Sequence, residues 1–334
     1  MAREARYSKD QIIDLINRSG KFSQVRDIRF SGTEFSQGIL GNLEKIELEY
    51  FEPNKQPSHL IYKSQNCSDK LREGVLYKLF SEIKDLSLPQ FIGDFENGDI
   101  LIEYLEHHRT GTIREGCTRE LAGRVLEEIG KVHSHYWNHP QIPEDKPEGF
   151  AGILKYNLEE NLDDYFERYS DSLSDVKADF EWLLSHTKEA SQVLYNGQTL
   201  THGDLHLENI LFSPSDDITL IDWQLGVKRT PAFDVSFFLI QNLEGAVRRE
   251  GEKELLDNYY RGLSESVKGE YSFSQFYREY RACLTRSMMT SVMMIGKRFA
   301  HKKEQMAEAD IMARRVIGAV GDLKPVDAVK ELMG

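Results

Sequence analysis

Three side chains in one short stretch of this sequence could do chemistry together. Between Thr201 and Gln224 the chain reads T-H-G-D-L-H-L-E-N-I-L-F-S-P-S-D-D-I-T-L-I-D-W-Q, which places Asp204, Asn209 and Asp222 around two apolar runs. An Asp, an Asn five positions later and a second Asp ending the next apolar run form a set suited to phosphoryl transfer with Mg²⁺. One carboxylate orients an attacking hydroxyl. The amide oxygen and the other carboxylate are hard ligands for a cation that prefers few protein ligands and several phosphate oxygens. D-x-x-x-x-N alone recurs by chance, whereas the whole string with its flanking apolar runs is far more specific.

Positioning such groups requires a hairpin. Residues 210–212 and 218–221 are apolar and β-prone, and the polar run 213–217 between them reads as a turn. Upstream, residues 8–18 predict a helix capped by Ser8, and residues 25–30, 43–51 and 59–63 predict strands around a polar loop at 31–42. A helix is expected over 69–83, with Val75 on its apolar side, then two strands at 89–94 and 99–105. From Thr118 the periodicity becomes helical: 119–136, then 158–169 after a proline-rich connector at 139–149, then 175–195, and after the hairpin a helical region whose longest piece is 271–298. The change near 106–118 is the expected boundary between an N-terminal part, 1–106, and a C-terminal part, 107–334.

Composition narrows the function. A net charge of −13 argues against general nucleic-acid binding, which needs clustered Lys and Arg. Cys67, Cys117 and Cys283 form no C-x-x-C pair, so neither a disulfide framework nor a cysteine metal site is expected. The charged N-terminus has no apolar segment of signal-peptide type, and no apolar run is long enough to span a bilayer, so a soluble cytoplasmic protein without membrane partners is expected. The sequence contains no G-x-x-x-x-G-K-[ST], G-x-S-x-G or H-E-x-x-H motif.

H-G-D-L-H-L-E-N-I-L-F followed by L-I-D-W-Q resembles the aminoglycoside phosphotransferase and choline kinase superfamily, and in its I-D-W-Q ending the ecdysteroid-kinase-like branch. The resemblance spans roughly residues 25–240 and is most specific over 200–224. It implies an α+β, bilobal protein-kinase-like fold: an N-lobe of about five antiparallel strands plus a helix, a mainly helical C-lobe, and ATP with Mg²⁺ between them. By the same resemblance Asp204 is the catalytic base, and Asn209 and Asp222 are the Mg²⁺ ligands. Lys63 contacts the ATP phosphates and Glu73 pairs with it, with Glu82 as the alternative because Lys63 and Glu73 stand close in sequence. Gly38 and Gly41 belong to a nucleotide loop that departs from G-x-G-x-x-G and reads equally as a hairpin turn, and Glu103 to Leu105 present backbone groups to adenine. His202 braces the loop, and Asp234 opens the next helix, also as a plain N-cap.

Asp222 is followed by Trp-Gln, and Asp234 arrives twelve residues later, which leaves no activation segment for a peptide substrate. The expected function is therefore a kinase for a hydroxyl on a small acceptor, with a catalytically silent kinase-shaped scaffold as the alternative. The acidic stripe Glu160, Asp163, Asp164 and Glu167 reads either as an attractor for a cationic acceptor or as a solvated helix face. Trp137, Tyr165, Tyr169, Tyr259 and Tyr260 read as core aromatics or as the lining of a steroid-like or quaternary-ammonium pocket.

Overall fold

A computed structural model describes residues 7–37, 41–52, 56–65, 72–81, 83, 86–296 and 303–334. The chain divides into two compact units, one of residues 1–108 with 213–225 and one of residues 109–212 with 226–334.

The first unit opens with helix α1 (Lys9–Arg18), whose entry is a capping box: Ser8 Oγ accepts from Gln11 N, and the Gln11 side chain accepts from Ser8 N. Strands β1 (Val25–Gln37), β2 (Gly41–Tyr50) and β3 (His59–Gln65) precede α2 (Arg72–Phe80), and β4 (Phe91–Asp94) and β5 (Ile100–Glu103) follow it. They form one five-stranded antiparallel sheet in the order β1-β2-β3-β5-β4. Ile12 and Ile16 of α1 pack with Ile28, Ile46, Leu60, Tyr62 and Leu101 in a common core. Later in this unit come β9 (Ile218–Leu220) and a 3₁₀ turn, Trp223–Leu225, which packs against α2.

Two expectations change here. The polar stretch read as a loop is strand as far as Gln37, and Gly41 lies in β2 opposite Gln65. Interstrand backbone hydrogen bonds do not depend on side-chain polarity, and the register shifts between Phe30 and Ser36 absorb the irregular pattern. Val75 is 40% exposed rather than on the buried side of α2. Gly38 and Glu82 lie outside the described residues.

The second unit begins with β6 (Arg109–Thr110), paired with β8 (Ile210–Phe212). Between them run α3 (Arg119–His135), α4 (Pro147–Arg168), α5 (Ser170–Leu173), α6 (Lys177–Ser185), α7 (Thr187–Tyr195) and β7 (Thr199–Thr201). β10 (Val227–Arg229) pairs with β7, and α8 (Ala232–Asn242), α9 (Gly245–Gly262), α10 (Glu265–Glu270), α11 (Phe273–Ile295), α12 (Lys303–Leu323) and α13 (Pro325–Met333) complete the chain. The stretch predicted as one helix over 175–195 is broken at His186, where α6 ends and α7 begins. α4 starts earlier than periodicity indicated, because Pro147 at the first helical position needs no N–H partner.

α11 is the axis of this unit: it packs against α4, α7, α8, α12 and α13. Two of its buried hydroxyls bond back to the helix itself, Thr290 Oγ1 donating to Arg286 O at 2.9 Å and Ser291 Oγ to Met288 O at 2.8 Å. Among the described residues no helix is long and apolar enough to cross a membrane.

Candidate functional site

In the first unit the site begins on β3. Tyr62 turns into the α1 core, so by strand alternation Lys63 points to the other face, where it is 5% exposed. There the first turn of α2 supplies Glu73, 1% exposed, whose Oε2 lies 2.8 Å from Lys63 Nζ. Lys63 Nζ also reaches Asp222 Oδ1 at 2.7 Å. Trp223 N donates to Glu73 Oε1 at 3.2 Å, and the Trp223 indole packs on Phe80 with ring centroids 4.5 Å apart. Burial disfavours the charged Lys63, but Asp222 and Glu73 outweigh it and raise its pKa above the ordinary value. Asp222 has φ +65°, a left-handed conformation that costs a non-glycine residue on the order of 1–3 kcal/mol and clusters at functional sites.

In the second unit β7 runs into the loop His202–Gly203–Asp204. Gly203 has φ +85°, which explains a glycine between two functional residues. Asp234, completely buried, fixes this loop: its Oδ2 accepts from His202 N at 2.6 Å and its Oδ1 from Gly203 N at 2.9 Å. His133 Nε2 lies 3.2 Å from the same Oδ2, and its Nδ1 lies 2.6 Å from Tyr259 OH. Asp234 is thus not the cap of α8, whose N-cap is Pro231; it sits inside the first turn and reaches sideways to the loop. His202 braces the turn, with Asp204 N donating to its Nδ1 at 3.3 Å.

Burial pushes the Asp234 carboxyl up, but its hydrogen bond with His133, the His133 and His202 charges and the Gly203 amide hold it below the ordinary carboxylate range. A depressed folded pKa contributes stability above the unfolded value of about 3.9, lost as pH falls through the folded one. Asp234→Ala is therefore expected to cost about 3–5 kcal/mol in urea unfolding at pH 7, with the gap to wild type narrowing below about pH 4. A gap independent of pH would show that the carboxylate charge is not what holds the loop.

Around Asp204 stand His206, with Nε2 at 3.5 Å from Oδ2, and Arg286 of α11, with Nη2 at 3.8 Å from Oδ1. Burial pushes the Asp204 carboxyl up, but His206, Arg286 and the His202 charge bring it down to about 2. Asn209 Nδ2 donates to Asp204 O at 2.9 Å and lies 3.2 Å from His206 Nε2. With its nitrogen so engaged, Asn209 leaves its Oδ1 as an acceptor, and Asp222 likewise leaves Oδ2 beside the oxygen that meets Lys63. Both are hard oxygens of the kind Mg²⁺ takes, so each fits the metal-ligand role. Among the described residues no group of three or more His, Cys, Asp and Glu side chains could hold a metal by itself.

The structure thus brings Lys63, Glu73 and Asp222 together in one unit, and Asp204 and Asn209 together in the other. Glu103 ends β5, and Leu105 follows it in the segment that closes with His108 N on Leu105 O. Arg286 and His206 were not singled out from the sequence. His206 stood inside the quoted motif, whereas no local pattern marks Arg286.

Glu160, Asp163, Asp164 and Glu167 are all exposed, on the side of α4 away from buried Leu158, Leu162 and Tyr165. Of the five candidate aromatics, Tyr165 and Tyr169 meet with ring centroids 4.9 Å apart, and each of the five has partners of its own. Trp137 lines a cavity of about 290 Å³ and donates to Glu270, Tyr165 meets Ser291, Tyr169 bonds Asp310, Tyr259 meets His133, and Tyr260 bonds Tyr271 O.

No curated protein matches the chain by sequence. Solved structures match it by fold. A choline kinase from Cryptosporidium parvum is 12% identical, covers 97% of this chain and 96% of its own, and has a TM-score of 0.54. The choline kinase LicA from Streptococcus pneumoniae is 17% identical over 93% of this chain and 98% of its own, with a TM-score of 0.54. A spectinomycin phosphotransferase in complex with ADP and spectinomycin is 12% identical over 94% and 98%, with a TM-score of 0.53. The chain therefore has the fold of the choline kinases and aminoglycoside phosphotransferases, as the stretch 201–224 led us to expect. The family model described as DUF1679, uncharacterized oxidoreductase dhs-27, matches residues 142–324, more than half of the chain, and the protein belongs to that family.

Proposed function

We propose that the protein is an ATP- and Mg²⁺-dependent kinase that phosphorylates a hydroxyl of a small molecule. The observation that carries this reading is Lys63: an ammonium 5% exposed and held between Glu73 and Asp222, the latter in a strained backbone conformation. Burying an ion pair, Lys63 with Glu73, beside a half-buried Asp222 is a weak route to stability, so their arrangement calls for a ligand that uses it.

Bound MgATP supplies the γ-phosphoryl group, and the bond to its bridging oxygen breaks with the electron pair remaining on ADP. Lys63 neutralises phosphate charge, and Glu73 keeps its ammonium in place. Asn209 Oδ1 and Asp222 Oδ2 are the oxygens that would hold the cation. Asp204 aligns the acceptor hydroxyl and takes its proton as the new O–P bond forms, so positioning and charge neutralisation supply most of the catalysis. Between Asp222 and α8 the chain is filled by the turn Trp223–Leu225 and by β10, which favours a small acceptor over a peptide. The ADP-bound phosphotransferase of the same fold supports a nucleotide site here. The word oxidoreductase in the family's description carries no reaction over to this chain, whose sequence has no Gly-x-Gly spacing of the dinucleotide-binding type.

A thermal-shift titration tests the reading. MgATP at about a hundred times its Kd is expected to stabilise the protein by about 2.7 kcal/mol. No shift at any MgATP concentration would move the reading to a kinase-shaped scaffold.

A further inference from the structure

Arg286 lies midway along α11 with 9% of its surface exposed, and the mechanism above gives it no task. A guanidinium removed from water needs hydrogen bonds and a counter-charge in place of its hydration. Among the described residues that replacement is thin. Nη1 donates to Thr290 Oγ1, the group lies 4.9 Å from the centre of the Phe237 ring, and Nη2 is 3.8 Å from Asp204 Oδ1, beyond hydrogen-bond distance. An arginine carries five N–H donors, and Nη2, which faces the Asp204 carboxylate, is too far from it to donate.

The neighbouring groups add to the imbalance. Buried Arg229 of β10 donates to Thr201 Oγ1 at 3.2 Å and to Tyr195 OH at 3.1 Å. Burial and the Arg229 charge both work against the charged form of Arg286, while Asp204 works for it. Asp204 is itself shared, its other oxygen lying 3.5 Å from His206 Nε2. The carboxylates of α4 face solvent and do not offset this positive edge.

We propose that the acceptor is an anionic hydroxy compound, whose carboxylate, sulfate or phosphate group is received by Arg286 while its hydroxyl meets Asp204. The inference rests on the kinase reading of this loop and names the substrate class. Two oxygens on one centre of a carboxylate, sulfate or phosphate group match the fork of a guanidinium, which a lysine cannot reproduce. A quaternary or primary ammonium at the same place would meet like charge.

The test measures binding to the full chain by calorimetry, with sulfate, glycerate and choline as probes, in wild type, Arg286→Lys and Arg286→Met. Wild type is expected to bind sulfate and glycerate. Arg286→Met should weaken both by about tenfold or more, and Arg286→Lys should recover part of the sulfate affinity and less of the glycerate affinity. Choline should not bind. Circular dichroism checks that each variant is folded, and the charge-conserving Arg286→Lys serves if Arg286→Met is not. Oxyanion binding that is absent, or unchanged by both substitutions, overturns the proposal.

A parallel assay of ADP release compares a hydroxy acid, a phosphorylated alcohol, a neutral alcohol and an amino alcohol. Faster turnover with either of the first two supports the inference and tells carboxylate from phosphate. Equal or faster turnover with the neutral or amino alcohol overturns it and leaves the kinase reading intact. Arg286-dependent oxyanion binding without any MgATP shift would support the oxyanion site and overturn the kinase reading instead.

Discussion

Asp204→Asn is expected to lower kcat for ADP release by about 10²–10⁴-fold, the range that a positioned general base contributes. The substitution keeps the shape of the side chain and the backbone carbonyl that receives Asn209 Nδ2, so the loop retains its support from Asp234. What it removes is the charge proposed to orient the hydroxyl and accept its proton. Nucleotide binding should survive, since Lys63, Glu73 and Asp222 belong to a separate cluster. The MgATP thermal shift should therefore stay within a factor of two or so while turnover falls. Some loss of stability is expected as well, because Arg286 loses the carboxylate that meets it. Full transfer by a folded Asp204→Asn protein would remove Asp204 from the mechanism.

Lys63→Met should act on folding and on nucleotide binding together. It leaves Glu73, 1% exposed, without the ammonium that neutralises it, and breaking a buried pair from one side costs about 3–5 kcal/mol. A raised folded pKa gives stability that is complete below the unfolded lysine value of about 10.4 and is lost as pH rises through the folded one. The cost of Lys63→Met should accordingly be flat from about pH 6 to 9 and shrink only above about pH 10. The double variant Lys63→Met/Glu73→Gln separates structure from function. Removing both charges should recover much of the stability, because a buried pair replaced as a unit is often neutral. The MgATP shift should stay absent in both proteins. A double variant that recovers nucleotide binding along with stability would show that Lys63 serves the fold alone.

Much of the candidate site was legible because its chemistry is local. Asp204, Asn209 and Asp222 fall within one loop–strand–turn–strand stretch, and Lys63 precedes Glu73 by a single strand-to-helix connection. The five-stranded antiparallel sheet and the helical second unit were legible for a similar reason: alternation and helical periodicity report which side of an element is buried. At 12–17% identity to the solved structures, it is the fold that the chain shares with them.

What the sequence by itself determined is therefore the neighbours that backbone geometry keeps close within one unit, Asp204 with Asn209 and Lys63 with Glu73. Only the tertiary structure decided the rest. β1 runs on to Gln37 and takes Gly41 out of a loop, because strand pairing depends on a partner's backbone rather than on side-chain polarity. Asp234 leaves the capping role and holds the His202 and Gly203 amides, because its carboxylate finds donors on a loop that precedes its own helix by many residues. Arg286 reaches Asp204 from the middle of α11, where local periodicity shows only a buried position. A charge in such a position acquires meaning from what it faces, and that is set by the packing of helices far apart in the chain.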